Sequence, residues 1–130
     1  MNTKNLFTFN AVTAIVFAIP MMFVPKIVAA MYLINPSLAN DAAMVVMRGY
    51  GSLLFALTVC LWYIRNAAPS RALKGILLLI CTADVILCLV HTHAILTGVE
   101  NNQAWGIVLI GVILAVWSGL LLRKVEFDLR

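Results

Sequence analysis

Charge is what this chain has least of. Nine Lys and Arg and five Asp and Glu make up 11% of its 130 residues, against about 25% in an ordinary soluble domain. That shortage excludes a fully solvated polar surface. With 64% of residues hydrophobic and a mean hydropathy of +1.05, a chain of single-domain length has more apolar surface than its own core can hide. A bilayer can take that surface instead. Loop cysteines are absent as well. Cys60, Cys81 and Cys88 all fall inside apolar runs, and no Cys-x-x-Cys occurs. This excludes a disulfide framework, a zinc knuckle and a loop dithiol relay, and leaves the cysteines as small packing residues. Histidine is limited to His91 and His93, both at the end of one run. Bis-histidine haem needs ligands that face each other across a bundle, so no haem is expected. Repeats, low-complexity tracts and linkers are also missing, so residues 1–130 read as one domain.

The net charge is +4 and the isoelectric point about 9.3. In a soluble protein that balance would raise nucleic acid as a partner. Here the cations sit at the ends of apolar runs, where the positive-inside rule puts them, and no nucleic-acid binding is expected.

Four runs are long enough to cross a bilayer, which takes about 20 apolar residues as a helix. The first covers residues 6–34, of which Ile27 to Ile34 either extends the helix or lies in the interface. It starts like a signal peptide, with Lys4 before it and Val28-Ala29-Ala30 as a cleavage-like triplet. Its length and the three runs that follow favour a retained helix. Pro20 and Pro25 predict a kink or fraying near its far end, and Asn35-Pro36-Ser37 ends it. The second run, 42–64, follows Asn40-Asp41, either of which can cap a helix. It closes on Trp62-Tyr63-Ile64-Arg65, the aromatic–cation pattern of an interface. Pro69-Ser70 opens the third run, 72–96. The fourth covers 104–122, with a short charged tail from Val125 to Arg130. The expected fold is all-α, an integral-membrane four-helix bundle running up-down-up-down. Lys4, Arg65, Arg71, Lys74, Arg123, Lys124 and Arg130 fall on one side, and Lys26 with the embedded Arg48 on the other. That bias predicts a multi-pass inner (plasma) membrane protein with both termini cytoplasmic.

The second and third runs form the hairpin around which we expect the bundle to be organised, because each carries one buried charge. From the helix rise of about 1.5 Å per residue, Arg48 lies roughly 9 Å below the outer surface and Asp84 roughly 12 Å. An isolated charge there costs about 2.5–3.5 kcal/mol on insertion scales. A facing pair costs less, so Arg48 and Asp84 are expected to approach each other. Cys81, Asp84, Cys88 and His91, spaced 3, 4 and 3, share one helical face. Such polar faces turn toward a bundle or a cavity, here toward Arg48 and Ser52. Cys, Asp and His are metal-ligand types, but Cys81 and His91 lie about 15 Å apart along the axis. No other spanning helix supplies His or Glu, so no metal is expected. About two turns of helix also exclude a Cys81–Cys88 disulfide. Arg48, Ser52, Asp84, Cys88 and His91 are therefore the candidate ligand-binding residues, with Arg48 suited to an anionic or quinone oxygen and Asp84 and His91 to proton exchange. No catalytic residue or cofactor is assigned.

Gly111, Ala115 and Gly119 recur every four residues, and Ala14 with Ala18 forms a similar pair. Such rows let membrane helices approach closely, within a bundle or between copies. Asn10 and Thr13 are in place to hydrogen-bond to a neighbouring helix.

Pro25 closing the first helix, Arg48-Gly49-Tyr50-Gly51 opening the second, the basic turn with Arg65 and Arg71, and Asp84 in the third give a layout that resembles small bacterial four-helix inner-membrane proteins of uncharacterised families. That resemblance implies the fold and the location, and no activity. The four-helix scaffold protein of the ergosterol pathway is similar in architecture. Membrane glutathione transferases differ at the positions following the second-helix Arg, where Ser52 and Phe55 stand here. Small multidrug transporters differ by an acidic residue in the first helix, and disulfide-forming membrane enzymes by cysteine pairs. The first expectation is a non-catalytic subunit or scaffold with an internal Arg–Asp pair, partnered by the bilayer and by another membrane protein or a second copy. The alternative is a carrier or membrane enzyme for a small amphiphile (a lipid, quinone or organic anion), using an outward-facing polar pocket. The two differ in whether the polar residues close on each other or line an open cavity.

Overall fold

The computed structural model describes residues 2–128, with side chains as far as Lys124. The chain forms α1 (Thr3–Phe23), α2 (Pro25–Tyr32), a 3-10 turn (Pro36–Leu38), α3 (Asp41–Ile64), α4 (Arg71–Leu96), a second 3-10 turn (Asn102–Ala104) and α5 (Trp105–Asp128). The fold is an all-α four-helix bundle. Thr3–Phe23, Asp41–Ile64, Arg71–Leu96 and Asn102–Lys124 are long and apolar enough to cross a membrane, and the protein is a small multi-pass membrane protein.

The first three spanning helices each start on a side chain that satisfies a free N–H group of the first turn. Asn5 donates its backbone N–H to Asn2 Oδ1 at 2.8 Å, Ala43 to Asn40 Oδ1 at 2.9 Å and Leu73 to Ser70 Oγ at 3.1 Å. Asn40, rather than Asp41, is therefore the cap of α3. The first run does not continue unbroken to residue 34. Pro25 has no N–H to give, and the residue before a proline avoids helical angles. Val24 takes φ −132° and ψ 50°, and α2 begins afresh with Pro25 at its first position. Pro20, in contrast, is accommodated within α1. At the other end of the molecule α5 continues through Asp128, so part of the expected tail is helical. The last two residues of that tail, Leu129 and Arg130, lie outside the described residues.

The helices associate as two tight pairs, α1 with α3 and α4 with α5, whereas α3 and α4 do not pack along their lengths. Small residues set both pairings. At Gly51 a Cβ would lie 2.9 Å from the Ala18 carbonyl oxygen and 2.9 Å from Met21 Cβ. Thr58 also donates its hydroxyl to the Ala11 carbonyl of α1 at 3.3 Å. At Gly111 a Cβ would lie 2.7 Å from Cys88 Sγ, and at Gly119 3.6 Å from Cys81 Sγ. The thiols of Cys81 and Cys88 donate to the Ala115 and Val108 carbonyls, each at 3.5 Å. The small-residue row on α5 and the cysteines of α4 are thus the two sides of one helix contact within the bundle.

The pairs meet in a dry core at one end only. Leu6, Phe7, Leu61, Leu73, Leu77 and Leu121 form it, all close to the chain's N-terminus and the 65–70 turn. Arg65 stacks its guanidinium 3.5 Å from the Trp62 ring centre at this end, a cation–π contact. The opposite end is tied by a strap. Leu33 and Glu100 form an isolated antiparallel bridge. Around it Ile34 N–H donates to the Val99 carbonyl at 3.1 Å and Asn101 N–H to the Tyr32 carbonyl at 2.8 Å. The Asn101 side chain donates to the Met31 carbonyl at 2.7 Å.

Overpacking a close helix contact costs about 1–3 kcal/mol. Gly51→Ala should lose that much in reversible unfolding in detergent. Gly49→Ala, which meets nothing within 4 Å, should lose nothing. Gly111→Ala should be destabilising alone and recover when combined with Cys88→Ala.

Candidate functional site

Between the closed end and the strap, the gap separating α3 from α4 is a cavity of about 500 Å³. Its floor lies just above the core, near Ile80 and Leu114, and its mouth near Met21, Tyr50 and His91. Every spanning helix contributes at helical spacing. From α1 come Asn10, Thr13, Ala14, Phe17 and Met21, one face of a 3.6-residue period. The volume falls within the range of about 300–1,000 Å³ typical of small-molecule pockets, and the lining has their character too, mostly apolar with a few polar groups. Leu53 on α3 and Leu79 on α4, both lining residues, are 66% and 55% exposed. Besides the mouth, the cavity therefore also opens sideways, between α3 and α4.

Three polar side chains matter here. Asp84, near the midpoint of α4, lines the cavity, and no hydrogen bond or ion pair engages its carboxyl among the described residues. Asn10 is only 5% exposed, also lines the cavity, and its side-chain amide likewise has no partner among the described residues. Thr13 Oγ1, in contrast, is used within its own helix, donating toward the Asn10 and Phe9 carbonyls at 2.9 and 3.1 Å. The expected bond from Asn10 or Thr13 to a neighbouring helix is therefore not made.

The third is His91, at the mouth. Its Nδ1 lies 2.7 Å from Glu100 Oε2 and 3.0 Å from Oε1. A carboxylate only accepts, so Nδ1 must carry the proton, leaving Nε2 as the ring's second polar atom. Glu100 reaches His91 because α4 ends in a Schellman turn. Gly98 takes φ 74°, a left-handed angle that glycine adopts without strain. Gly98 N–H donates to the Ile95 carbonyl at 3.1 Å and Val99 N–H to the Ala94 carbonyl at 2.9 Å. The chain folds back over the helix end and the strap holds Glu100 in place. Tyr32 lies nearby: burial, and after it the Glu100 carboxylate, push its phenol above the usual range.

The five residues singled out from the sequence are thus divided. Asp84 and His91 line the cavity. Cys88 faces α5 and packs against Gly111. Arg48 is exposed and lies on the side of α3 opposite Leu53, Leu54 and Leu57, which line the cavity. Ser52 is also exposed and donates its hydroxyl to the Arg48 carbonyl at 3.0 Å. No ion pair joins Arg48 to Asp84 among the described residues. Similar depth did not bring the two together, because their helices belong to different pairs and Arg48 points away from the gap. Its long side chain can carry the guanidinium to the interface. Glu100 and Tyr50 are the residues that sequence reasoning passed over. A glycine just past the helix end, followed two residues later by a carboxylate, is the signal that could have found Glu100. Among the described residues no three His, Cys, Asp or Glu side chains converge to hold a metal. No family model, curated protein or solved structure matches this chain.

Two outcomes check this geometry. Non-contacting sites add to within about 0.5 kcal/mol, so Arg48→Leu and Asp84→Asn should have summed effects on unfolding in detergent. A double variant much more stable than that sum would restore the direct pair. In ¹⁵N spectra of the neutral ring, His91 should carry its proton on Nδ1, and Glu100→Ala should shift the ring toward the Nε2–H form.

Proposed function

We propose that this protein binds a small amphiphile in the cavity between its two helix pairs, as a carrier or ligand-holding subunit of the inner membrane with both termini cytoplasmic. The excess of Lys and Arg on the side of the 65–70 turn supports the orientation. The binding reading rests on one observation. Asp84 and Asn10 face an apolar cavity of about 500 Å³ without a side-chain partner among the described residues. Asn10 is nearly buried and Asp84 half-buried, and against hydrocarbon a polar group left unsatisfied costs about 1–3 kcal/mol, more when charged. A lipid tail filling the gap would leave both groups unsatisfied, whereas a ligand with a polar head and an apolar tail would satisfy them and cover the leucines beside them. Asp84 and His91 are the proposed contacts from the original five, joined by Asn10 and Tyr50. The reading assigns no bond-making step to them.

The test is native mass spectrometry of the protein purified from its own membrane. The parent should carry a small molecule that Asp84→Asn has lost. A co-purifying protein beside an unoccupied cavity would instead support a scaffold or subunit role, and identical small-molecule adducts on both forms would remove Asp84 from the site.

A further inference from the structure

We infer that the amphiphile has a cationic, hydrogen-bond-donating head, an amine without a phosphate, held between Asp84 and Asn10. The inference rests on reading the cavity as an amphiphile site and adds the chemistry of its ligand.

Among the described residues lining the cavity Asp84 is the carboxylate, and no Lys or Arg is present. The cation that sequence reasoning assigned to the pocket, Arg48, is on the far side of α3. An anionic head would therefore meet a carboxyl with nothing beside it to offset the repulsion, which disfavours the organic anions. At the mouth His91 is bound through Nδ1 to the Glu100 carboxylate, so a second acidic group stands there. Low-dielectric walls strengthen such fields.

A carboxylate accepts only, and the Asn10 amide offers one oxygen acceptor and two N–H donors. Both lack partners among the described residues, and Asn10 is nine-tenths buried. An ammonium brings up to three donors, a hydroxyl one and a quinone none. An amine head can thus serve Asp84 and the Asn10 oxygen together, while a quinone can accept only from the Asn10 N–H and leaves the Asp84 carboxylate without a donor. Phe17 and Tyr50 also line the cavity, and aromatic side chains favour cations over neutral heads. A zwitterionic phospholipid amine would bring its phosphate into the same repulsion, so the ligand is a simple amine-headed amphiphile. Its tail would lie along Leu53 and Leu79, where the cavity opens between α3 and α4.

The test uses the full chain in phosphatidylcholine nanodiscs. Saturable binding of radiolabelled decylamine, decanol and decanoate is measured on the parent, on Asp84→Asn and on Ala83→Phe, which places a ring in the cavity. The expected result is that decylamine binds the parent at least about ten-fold more tightly than decanol or decanoate. Asp84→Asn should abolish that preference, and Ala83→Phe should abolish binding. If all three probes bind the parent equally and Ala83→Phe removes them all, the cationic head is wrong while the amphiphile cavity stands. If no probe binds the parent saturably, both are wrong. Where Asp84→Asn does not fold, the ranking of the three heads on the parent decides, and Asn10→Leu, expected to weaken decylamine selectively, is the second variant.

Discussion

Close backbone approach at Gly51 and Gly111 is the constraint on which the rest of this structure depends. In a bilayer no hydrophobic force drives one apolar helix onto another, so association follows packing and interhelical hydrogen bonds. Gly51 lets α3 come against Ala18 and Met21 of α1, and Gly111 lets α5 come against Cys88 of α4. Each contact commits a helix face to its partner. Helix α3 spends one face on α1 and helix α4 spends one on α5, so nothing of that kind remains to draw α3 and α4 together. The gap between the pairs follows from the two pairings.

A gap would ordinarily close or splay. Here both ends are fixed by different means. At one end Leu6, Phe7, Leu61, Leu73, Leu77 and Leu121 interlock across the pairs. At the other, backbone hydrogen bonds from the 99–101 segment reach residues 32–34. The strap ties the α1–α3 pair to the α4–α5 pair without requiring their helices to touch. It also performs a second task, because Glu100 lies in it and holds His91 at 2.7 Å. The element that keeps the cavity from collapsing thus also sets the proton position on the histidine at its mouth.

Much of this was legible in the chain. Hydropathy gave four spans, Asn40 and Ser70 marked helix starts, and the row Gly111, Ala115, Gly119 identified a packing face. What was not legible was azimuth. Matching Arg48 to Asp84 used depth, which the helix rise provides, but contact also needs both side chains to point into the same space. Which face of α3 meets α1 is decided by the fit at Gly51, and that fit turns Arg48 outward. The stripe Cys81, Asp84, Cys88, His91 is divided between two surroundings, since it lies along the border between the α5 contact and the cavity. Cys81 and Cys88 fall to one side, Asp84 and His91 to the other. Glu100 was hidden for a different reason: it acts through a loop, whose path depends on Gly98 and on bonds to a segment more than sixty residues earlier in sequence.

The arrangement of openings bears on what the cavity can receive. The core seals it at one end, and the strap crosses the other with His91 and Glu100 bound to each other. The wide side faces the bilayer, between α3 and α4, where leucines rather than polar groups form the rim. A solute confined to water would have to pass through the strap. One that partitions into the membrane reaches the gap sideways and meets leucines before it meets Asp84 and Asn10. On the proposed reading, selection would be sequential. The bilayer would admit molecules with an apolar tail, and the two unpartnered polar groups at mid-depth would discriminate among their heads. Moving the gap to another helix pair would lose this order, because α4 is the helix that carries both the acidic group and the histidine at the mouth.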